Sequence, residues 1–287
     1  MPKRITAADR SPVRVVVVTM DSHLGGALGR AAATLKRELP NLDLAMHAAD
    51  EWSGDPAALA ACHDDIACAD IVIATMLFLD EHIRAVLPAL AARRERCDAM
   101  LCCLSAGEVV RLTRAGRLDM STEAAGVAAW LKRLRGKSRT GSSGRGQMAM
   151  LRQLPRLLRF VPGTAQDMRS YFLTMQYWLA GSETNLANMV RMLVGRYAKG
   201  CVGAVRAAAP VEYPEIGLYH PRARGRIVER VEQLPPRRGP RVGVLLMRSY
   251  ALSGNAAHYD GVIAALEAKG LQPVPAFACG LDQREAV

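Results

Sequence analysis

The first part of the chain alternates between continuous apolar runs and amphipathic stretches. Four short apolar runs share this character: Val13–Thr19, Leu42–Ala48, Asp70–Met76 and Asp98–Leu104. Continuous hydrophobicity is typical of strands that are buried on both faces of a parallel sheet. The stretches between them favour helices, which we predict at Leu24–Glu38, from Asp55 and Pro56 onward, at Asp80–Arg94, and from Ala106 to Thr113. This pattern predicts a doubly wound parallel sheet with right-handed crossovers.

Helical periodicity replaces this alternation in the middle of the chain. We predict helices at Met148–Phe160, Ala165–Ala180 and Ser182–Ala198, with Pro155 dividing or kinking the first. Gly181 and Ser182 form a helix stop followed by a new N-cap. The apolar face of the last helix is more typical of a buried core than of a cofactor site.

The α/β pattern restarts near the end of the sequence. After a proline-bounded extended stretch at Pro210–Pro221 and a basic linker at Pro235–Pro240, we predict two strands, Arg241–Met247 and Gln272–Ala278, around a helix at Asn255–Lys269. One such unit encloses no core and leaves strand edges unpaired, so we expect either further strands beyond this chain or addition to the first sheet.

These patterns divide the chain into four predicted segments. They are an α/β head domain at 1–136, a basic Gly/Ser linker at 137–147, a helical neck with an extended linker at 148–240, and the beginning of a truncated α/β body domain at 241–287. The chain is therefore expected to be the front part of a larger protein.

The composition is that of a globular protein. Of 287 residues, 50% are hydrophobic and 23% are charged. The sequence contains neither an apolar run long enough to span a bilayer nor a secretory leader, which predicts a cytoplasmic location. None of the seven cysteines belongs to a CxxC pair or a zinc-finger spacing, so we predict reduced, mostly buried thiols and no structural zinc.

Positive charge is concentrated in one stretch of the chain. Residues 124–166 include nine Lys or Arg and no acidic residue, within a formal net charge of +11. Such a patch suits an anionic partner, and it is equally typical of a solvated linker. The sequence leaves both interpretations open.

Loops at the carboxyl ends of parallel strands are the usual positions of ligands. The loop after the first strand carries Asp21, His23 and the glycines of Gly25-Gly26-x-x-Gly29. This spacing lacks the GxGxxG order, and no acidic residue ends the second strand, so nucleotide binding is not favoured. Asp21 and His23 are more typical of a polar loop that begins a helix.

Four segments in the same order resemble the large (H) subunit of magnesium chelatase. They are VVVVTMDSHLGGAL, YFLTMQYWLAGSETNL at Tyr171–Leu186, EIGLYHP at Glu215–Pro221, and the stretch from Val242 to Asp282. The resemblance implies a protein that holds protoporphyrin IX while Mg²⁺ is inserted on the route to chlorophyll or bacteriochlorophyll. It also implies that ATP is hydrolysed by partners, an AAA+ ATPase subunit with an integrin-like companion. Family members are several times longer, so most of the porphyrin cavity is expected outside this chain.

Within the last matched segment, polar residues cluster after a predicted strand. His258 and Asp260 are candidates for handling the pyrrole protons, and Arg248, Ser249, Tyr250 and Asn255 are candidates for contacting porphyrin. Structural roles compete with these: Asn255 would cap the helix, Tyr259 would pack, and Arg248 would be solvated. No resident metal site is predicted.

Two other functions remain open at this stage. One is a cobalt chelatase large-subunit analogue that acts on a corrin precursor. The other is a non-catalytic module that docks the chelatase ATPase subunits through the basic stretch. Nucleic acid is not an expected partner, and little catalysis is expected of this chain alone.

Overall fold

The first sheet is a mixed, mostly parallel sheet built by the predicted strand–helix repeats. A computed structural model of the chain describes residues 12–121, 153–201, 203, 205–236, 238–279 and 283–287. The six strands lie in the order β2-β1-β3-β4-β5-β6, and the first four pair in parallel. They are β1 (Val13–Thr19), β2 (Leu42–Ala48), β3 (Ile71–Thr75), β4 (Ala99–Cys103), β5 (Arg114–Ala115) and β6 (Leu118–Asp119). The predicted α/β class is confirmed.

Helices cover both faces of this sheet, as a doubly wound fold requires. The connecting helices are α1 (Gly25–Leu35), α2 (Pro56–Cys68), α3 (Asp80–Arg93) and the short α4 (Gly107–Val110). Val15 and Val17 of β1 face α1, whereas Val16 and Val18 face α2 and α3. The β-branched run is therefore buried on both sides, which is why it shows no alternation of polar and apolar residues.

The middle helices pack against the first sheet. They are α5 (153–158), α6 (Thr164–Leu179) and α7 (Glu183–Tyr197). The apolar face of α7 joins the core on the α1 side, and α5 and α6 cover β4 and β6. Ser182 caps α7 by accepting a hydrogen bond from the Asn185 N–H, as its position after Gly181 predicts.

One predicted helix is shorter than expected. The prediction extended the helix from Ala106 to Thr113, but α4 ends at Val110 and is followed by the antiparallel hairpin of β5 and β6. The buried Thr113 hydroxyl donates to the Cys102 carbonyl and accepts from the Cys102 N–H. These two hydrogen bonds take the place of backbone pairing at Cys102, and the chain then continues as β5, antiparallel to β4.

A second sheet contains the strands of the restarted pattern. Its order is β8-β7-β10-β9, with β9 and β10 parallel and β7 antiparallel to β10. The elements are β7 (Ile216–Tyr219), β8 (Ile227–Val228), β9 (Arg241–Leu245), α8 (Arg248–Ser253), α9 (Ala257–Ala268) and β10 (Gln272–Ala278). The alternative that this unit extends the first sheet is wrong, because its partners are the strands β7 and β8 of the proline-bounded region.

The remaining sequence predictions divide between described and undescribed residues. Cys62, Cys97, Cys102, Cys103 and Cys201 are buried free thiols, as expected, but Cys68 is exposed. The predicted linker at 137–147 and most of the basic stretch lie outside the described residues, and the four domain boundaries stay a prediction. Within the described part, no helix has the length and hydrophobicity that crossing a bilayer requires.

Candidate functional site between the carboxyl ends of the two sheets

The strand order of the first sheet reverses between β1 and β3. Such a reversal opens a crevice at the carboxyl ends of the strands, where ligands usually bind. In this chain the loop after β1, with Asp21 and His23, meets the segment that follows β9 in the second sheet. The loops that the sequence singled out in two separate units therefore face each other.

Two short helices carry the second half of this site. α8 begins directly after β9 and ends at Gly254, whose φ of 72° lies in the left-handed region that glycine adopts without strain. This turn allows α9 to start at Ala257, so that the first turn of α9 lies beside α8. The sequence predicted a loop where α8 forms, because a helix of six residues carries little periodic signal.

Four aromatic rings meet here, and we call them the interface cluster: His23, Tyr250, His258 and Tyr259. The His23 and Tyr250 rings are stacked, with centroids 4.7 Å apart and planes inclined by 20°. His258 lies edge-on to Tyr250 at 5.2 Å and close to Tyr259 at 3.9 Å. His258 is exposed, so the cluster presents one imidazole to solvent beside the ring of a half-buried tyrosine.

Hydrogen bonds hold the cluster in place. The Tyr259 hydroxyl accepts from the Met247 N–H at 3.0 Å, which fixes α9 against the end of the β9 segment. The Asn255 amide donates to the His23 carbonyl at 3.4 Å across the two sheets. Asn255 does not cap α9, because the N-cap position is Ala256. The competing role that the sequence suggested for Asn255 is therefore wrong.

Arg248 lies under the cluster and contacts backbone. It is buried, and its guanidinium donates to the carbonyls of Pro214, Leu179 and Tyr213 at 3.0, 3.4 and 3.3 Å. It therefore joins the end of α6 and the extended segment before β7 to the second sheet. The competing interpretation of a solvated Arg248 is wrong. Ser249 is half-buried next to it in α8.

Asp260 faces a different set of groups. Its carboxylate accepts from the Tyr219 hydroxyl at 2.6 Å and from the Arg226 guanidinium at 2.8 Å. Burial, followed by the hydrogen bond to Asp260, raises the pKa of Tyr219. The structure thus brings His258 and Tyr250 together with His23, whereas Asp260 is held in an ion pair with Arg226.

His23 is the member of the cluster that the sequence assigned to an ordinary polar loop. Its Nε2 atom is buried and has no hydrogen-bond partner among the described residues, and its Nδ1 lies 4.0 Å from Asp21. Burial lowers the pKa of His23 from its usual 6.5, and the Asp21 charge opposes this. Asp21 in turn accepts from the Trp178 indole at 3.0 Å. His23 differs from an ordinary loop residue through its contacts with Tyr250 and Asn255, which are distant along the chain.

The described residues contain no group of three or more His, Cys, Asp or Glu side chains placed to hold a metal ion. The glycines Gly25, Gly26 and Gly29 lie within α1 rather than in a loop. The chemistry available at the cluster is therefore proton exchange at imidazole and stacking on aromatic faces.

The lowered pKa of His23 predicts a pH-dependent stability. His23 in the unfolded chain takes up a proton at a higher pH than His23 in the folded chain. The contribution of neutral His23 to the free energy of unfolding is therefore complete above pH 6.5, and it is lost as the pH falls from there through the folded-state pKa. We expect His23→Gln to flatten this part of the profile, measured as urea midpoints from about pH 5 to about pH 7.5. His63→Gln, in α2, is the matched control, and equal slopes in both variants would contradict the expectation.

Comparison with known proteins assigns the chain to a family. A family model described as "Domain of unknown function (DUF3479)" matches residues 14–172, and one described as "CobN/Magnesium Chelatase" matches residues 175–287. The chain is 50% identical over 277 residues to the magnesium-chelatase H subunit of Cereibacter sphaeroides. The chain belongs to the magnesium chelatase H-subunit family. That alignment covers 95% of this chain and 23% of the relative.

Two further family members extend the comparison. The magnesium-chelatase H subunit of Rhodobacter capsulatus is 48% identical over 277 residues, which are 95% of this chain and 23% of that protein. The chloroplastic magnesium-chelatase ChlH protein of Oryza sativa subsp. indica is 29% identical over 94% of this chain and 21% of its own length. The chain thus spans less than a quarter of the curated relatives that it matches. Among solved structures, a "Catalytic Subunit of Cobaltochelatase from Mycobacterium tuberculosis" matches 95% of this chain and 17% of its own with a TM-score of 0.47 and 13% identity.

Proposed function

We propose that this chain is part of the porphyrin-holding component of a magnesium chelatase, which inserts Mg²⁺ into protoporphyrin IX. The observation that carries this proposal is the 50% identity to a protein named as a magnesium-chelatase H subunit along 95% of the chain. ATP would be hydrolysed by an AAA+ ATPase subunit working with an integrin-like companion. The complex would act in the cytoplasm in chlorophyll or bacteriochlorophyll synthesis.

The interface cluster is the part of this chain that we assign to porphyrin handling. Mg²⁺ gives up its water reluctantly, and the porphyrin must lose two pyrrole protons as the metal enters. His258 is exposed beside Tyr250, so an imidazole that can accept a proton adjoins a ring on which a planar macrocycle can stack. Asn255, which donates to the His23 carbonyl, and Ser249, which precedes Tyr250 in α8, are the neighbouring polar residues that we include in the proposal.

Arg248 and Asp260 have supporting positions in this proposal. Arg248 binds three backbone carbonyls, and it sets the position of α8 and therefore of Tyr250. Asp260 holds α9 through Arg226 and Tyr219. We assign both to positioning the cluster rather than to direct contact with the macrocycle.

The proposal predicts that His258→Gln in the full-length protein weakens Mg²⁺ insertion by about 100-fold or more, because a side chain that transfers protons contributes about 10²- to 10⁴-fold. Porphyrin binding, followed by quenching of protoporphyrin IX fluorescence, should change much less. Insertion is measured with the ATPase partners, ATP and Mg²⁺. His63→Gln is the matched control.

Two outcomes would contradict this assignment. A full-length protein that neither binds protoporphyrin IX nor supports Mg²⁺ insertion with its partners would refute the chelatase function. A His258→Gln variant as active as His63→Gln would refute the role of the cluster alone. Replacing Mg²⁺ by Co²⁺ and porphyrin by a corrin precursor in the same assay tests the cobalt alternative.

A further inference from the structure

A cleft beside α6 shares no residue with the interface cluster. It has a volume of 620 Å³, within the range of small-molecule sites. Its walls come from the end of α5, from one face of α6, from Met192 of α7, and from the segment that passes through Ala208 and Glu212.

The charges around this cleft do not cancel. Arg156 is paired with Glu212 at 2.9 Å. Among the described residues, Arg159 and Arg169 have no carboxylate partner. Arg169 donates from Nε to the Pro155 carbonyl at 3.1 Å. This bond orients the guanidinium group but does not neutralise its charge. Two positive charges therefore remain at the cleft.

The pKa of Arg169 is consistent with this excess of positive charge. Burial lowers the pKa of its guanidinium, and the neighbouring charges of Arg159 and Arg196 lower it further. An anion placed between Arg159 and Arg169 would relieve this repulsion. The cleft therefore carries an excess of positive charge that an anionic ligand would neutralise.

The rest of the cleft is apolar. Leu173 and Tyr177 form its buried floor, at 7% and 1% exposure, and the Tyr177 hydroxyl is engaged with the Ala208 carbonyl. Phe160 stands at the rim with 84% of its surface exposed, and Arg159 lies 5.7 Å from its ring centroid. Leu157 and Val161, close to Phe160 along the chain, are exposed as well. A free phosphate would leave these surfaces uncovered.

We propose that this cleft binds an apolar organic carboxylate. The carboxylate lies between the guanidinium groups of Arg159 and Arg169, and the apolar body covers Leu173 and Tyr177 under the ring of Phe160. Charge-assisted bonds from guanidinium to carboxylate supply orientation, and burial of the apolar body supplies affinity. This site is independent of the interface cluster and does not rest on the chelatase assignment.

A fluorescent pair of probes tests the proposal on the full 287-residue chain. Pyrenebutyric acid should bind with saturation, and pyrenebutanol, which has the same body without the charge, should bind at least about tenfold more weakly. Arg159→Gln and Arg169→Gln should each weaken the acid by about tenfold. Arg84→Gln removes an exposed charge of α3 and should leave binding unchanged.

Competition identifies the source of the carboxylate. Displacement of pyrenebutyric acid by decanoate at lower concentration than by a tetrapyrrole dicarboxylate indicates a fatty-acid-like ligand, and the reverse order indicates a tetrapyrrole. Equal affinity of the acid and the alcohol, or equal binding by the Arg159→Gln and Arg84→Gln variants, would overturn the proposal. Phe160→Ala, which changes an exposed side chain, should weaken both probes and keeps the test valid if Arg169→Gln fails to fold.

Discussion

Replacing Asp167 by alanine is expected to lower the free energy of unfolding by about 3 kcal/mol. The Asp167 carboxylate is 8% exposed and accepts from the Arg117 N–H at 3.0 Å and from the Tyr197 hydroxyl at 3.0 Å. It also pairs with Arg196 at 2.9 Å. Without it, the half-buried guanidinium of Arg196 and two further donors, the Arg117 N–H and the Tyr197 hydroxyl, lose their partner. We place the loss at the lower end of the usual range because Arg196 is 36% exposed.

The backbone at this site shows how closely Asp167 is fitted. Gly116, in the turn between β5 and β6, has a φ of 58°, and a Cβ there would lie 2.7 Å from the Asp167 carboxylate. The hairpin thus approaches α6 through a glycine, and Asp167 binds the next N–H along the chain. The acid therefore joins the hairpin to both α6 and α7.

Urea unfolding measures this effect as a fall in midpoint at an unchanged m-value. Asp43→Ala is the matched control, because Asp43 is 65% exposed and pairs only loosely with Arg14, at 3.8 Å. Its loss should stay within about 0.5 kcal/mol. Asp167→Asn keeps an acceptor and should fall between the two. An Asp167→Ala protein as stable as Asp43→Ala would contradict the expectation.

Replacing Arg248 by methionine is expected to cost about 2 kcal/mol and to loosen the second sheet from α6. Methionine keeps the length and the apolar stem but leaves the carbonyls of Pro214, Leu179 and Tyr213 without this donor. Because α8 begins at Arg248, we also expect the contact between Tyr250 and His23 to weaken. Hydrogen exchange should therefore rise in α8 and around His23.

Two further variants serve as comparisons for Arg248→Met. Arg248→Lys keeps the charge, but an ammonium group does not reproduce the planar fork that reaches three carbonyls, so its loss should approach that of methionine. Arg241→Met changes an exposed arginine at the start of β9 and should have little effect. Unchanged exchange around His23 in Arg248→Met would show that Arg248 does not position the cluster.

Local pattern was sufficient for the four parallel strands of the first sheet. β1 and β2 have the bounds that the apolar runs predicted. β3 and β4 are one residue shorter at each end than predicted, and α3 ends one residue earlier. Asp55 caps α2 through the Ala57 N–H, with Pro56 in the first turn, as its side chain and position favour. Each of these features depends on neighbouring residues, so the sequence specifies it without knowledge of the fold.

Pairing between distant segments was not available from the sequence. β5, β6 and β8 have two residues each, which is too few for a periodic signal. They are strands because each pairs with a neighbouring strand. The proline-bounded stretch predicted extended chain, and only its antiparallel pairing with β10 made β7 a strand. Tertiary context decided these elements.

The candidate site shows the same division between local and long-range information. Residue types and the position after a parallel strand were enough to single out Tyr250, Asn255 and His258, because carboxyl ends of strands collect polar loops. His23 joins them from 232 positions away along the chain, as measured by the contact of Asn255 with its carbonyl. The sequence by itself determined the longer strands and helices and the polar loops that follow the parallel strands. Only the tertiary structure decided which loops meet, because that depends on contacts such as Arg248 with Leu179 and Asn255 with His23, whose partners lie far apart along the chain.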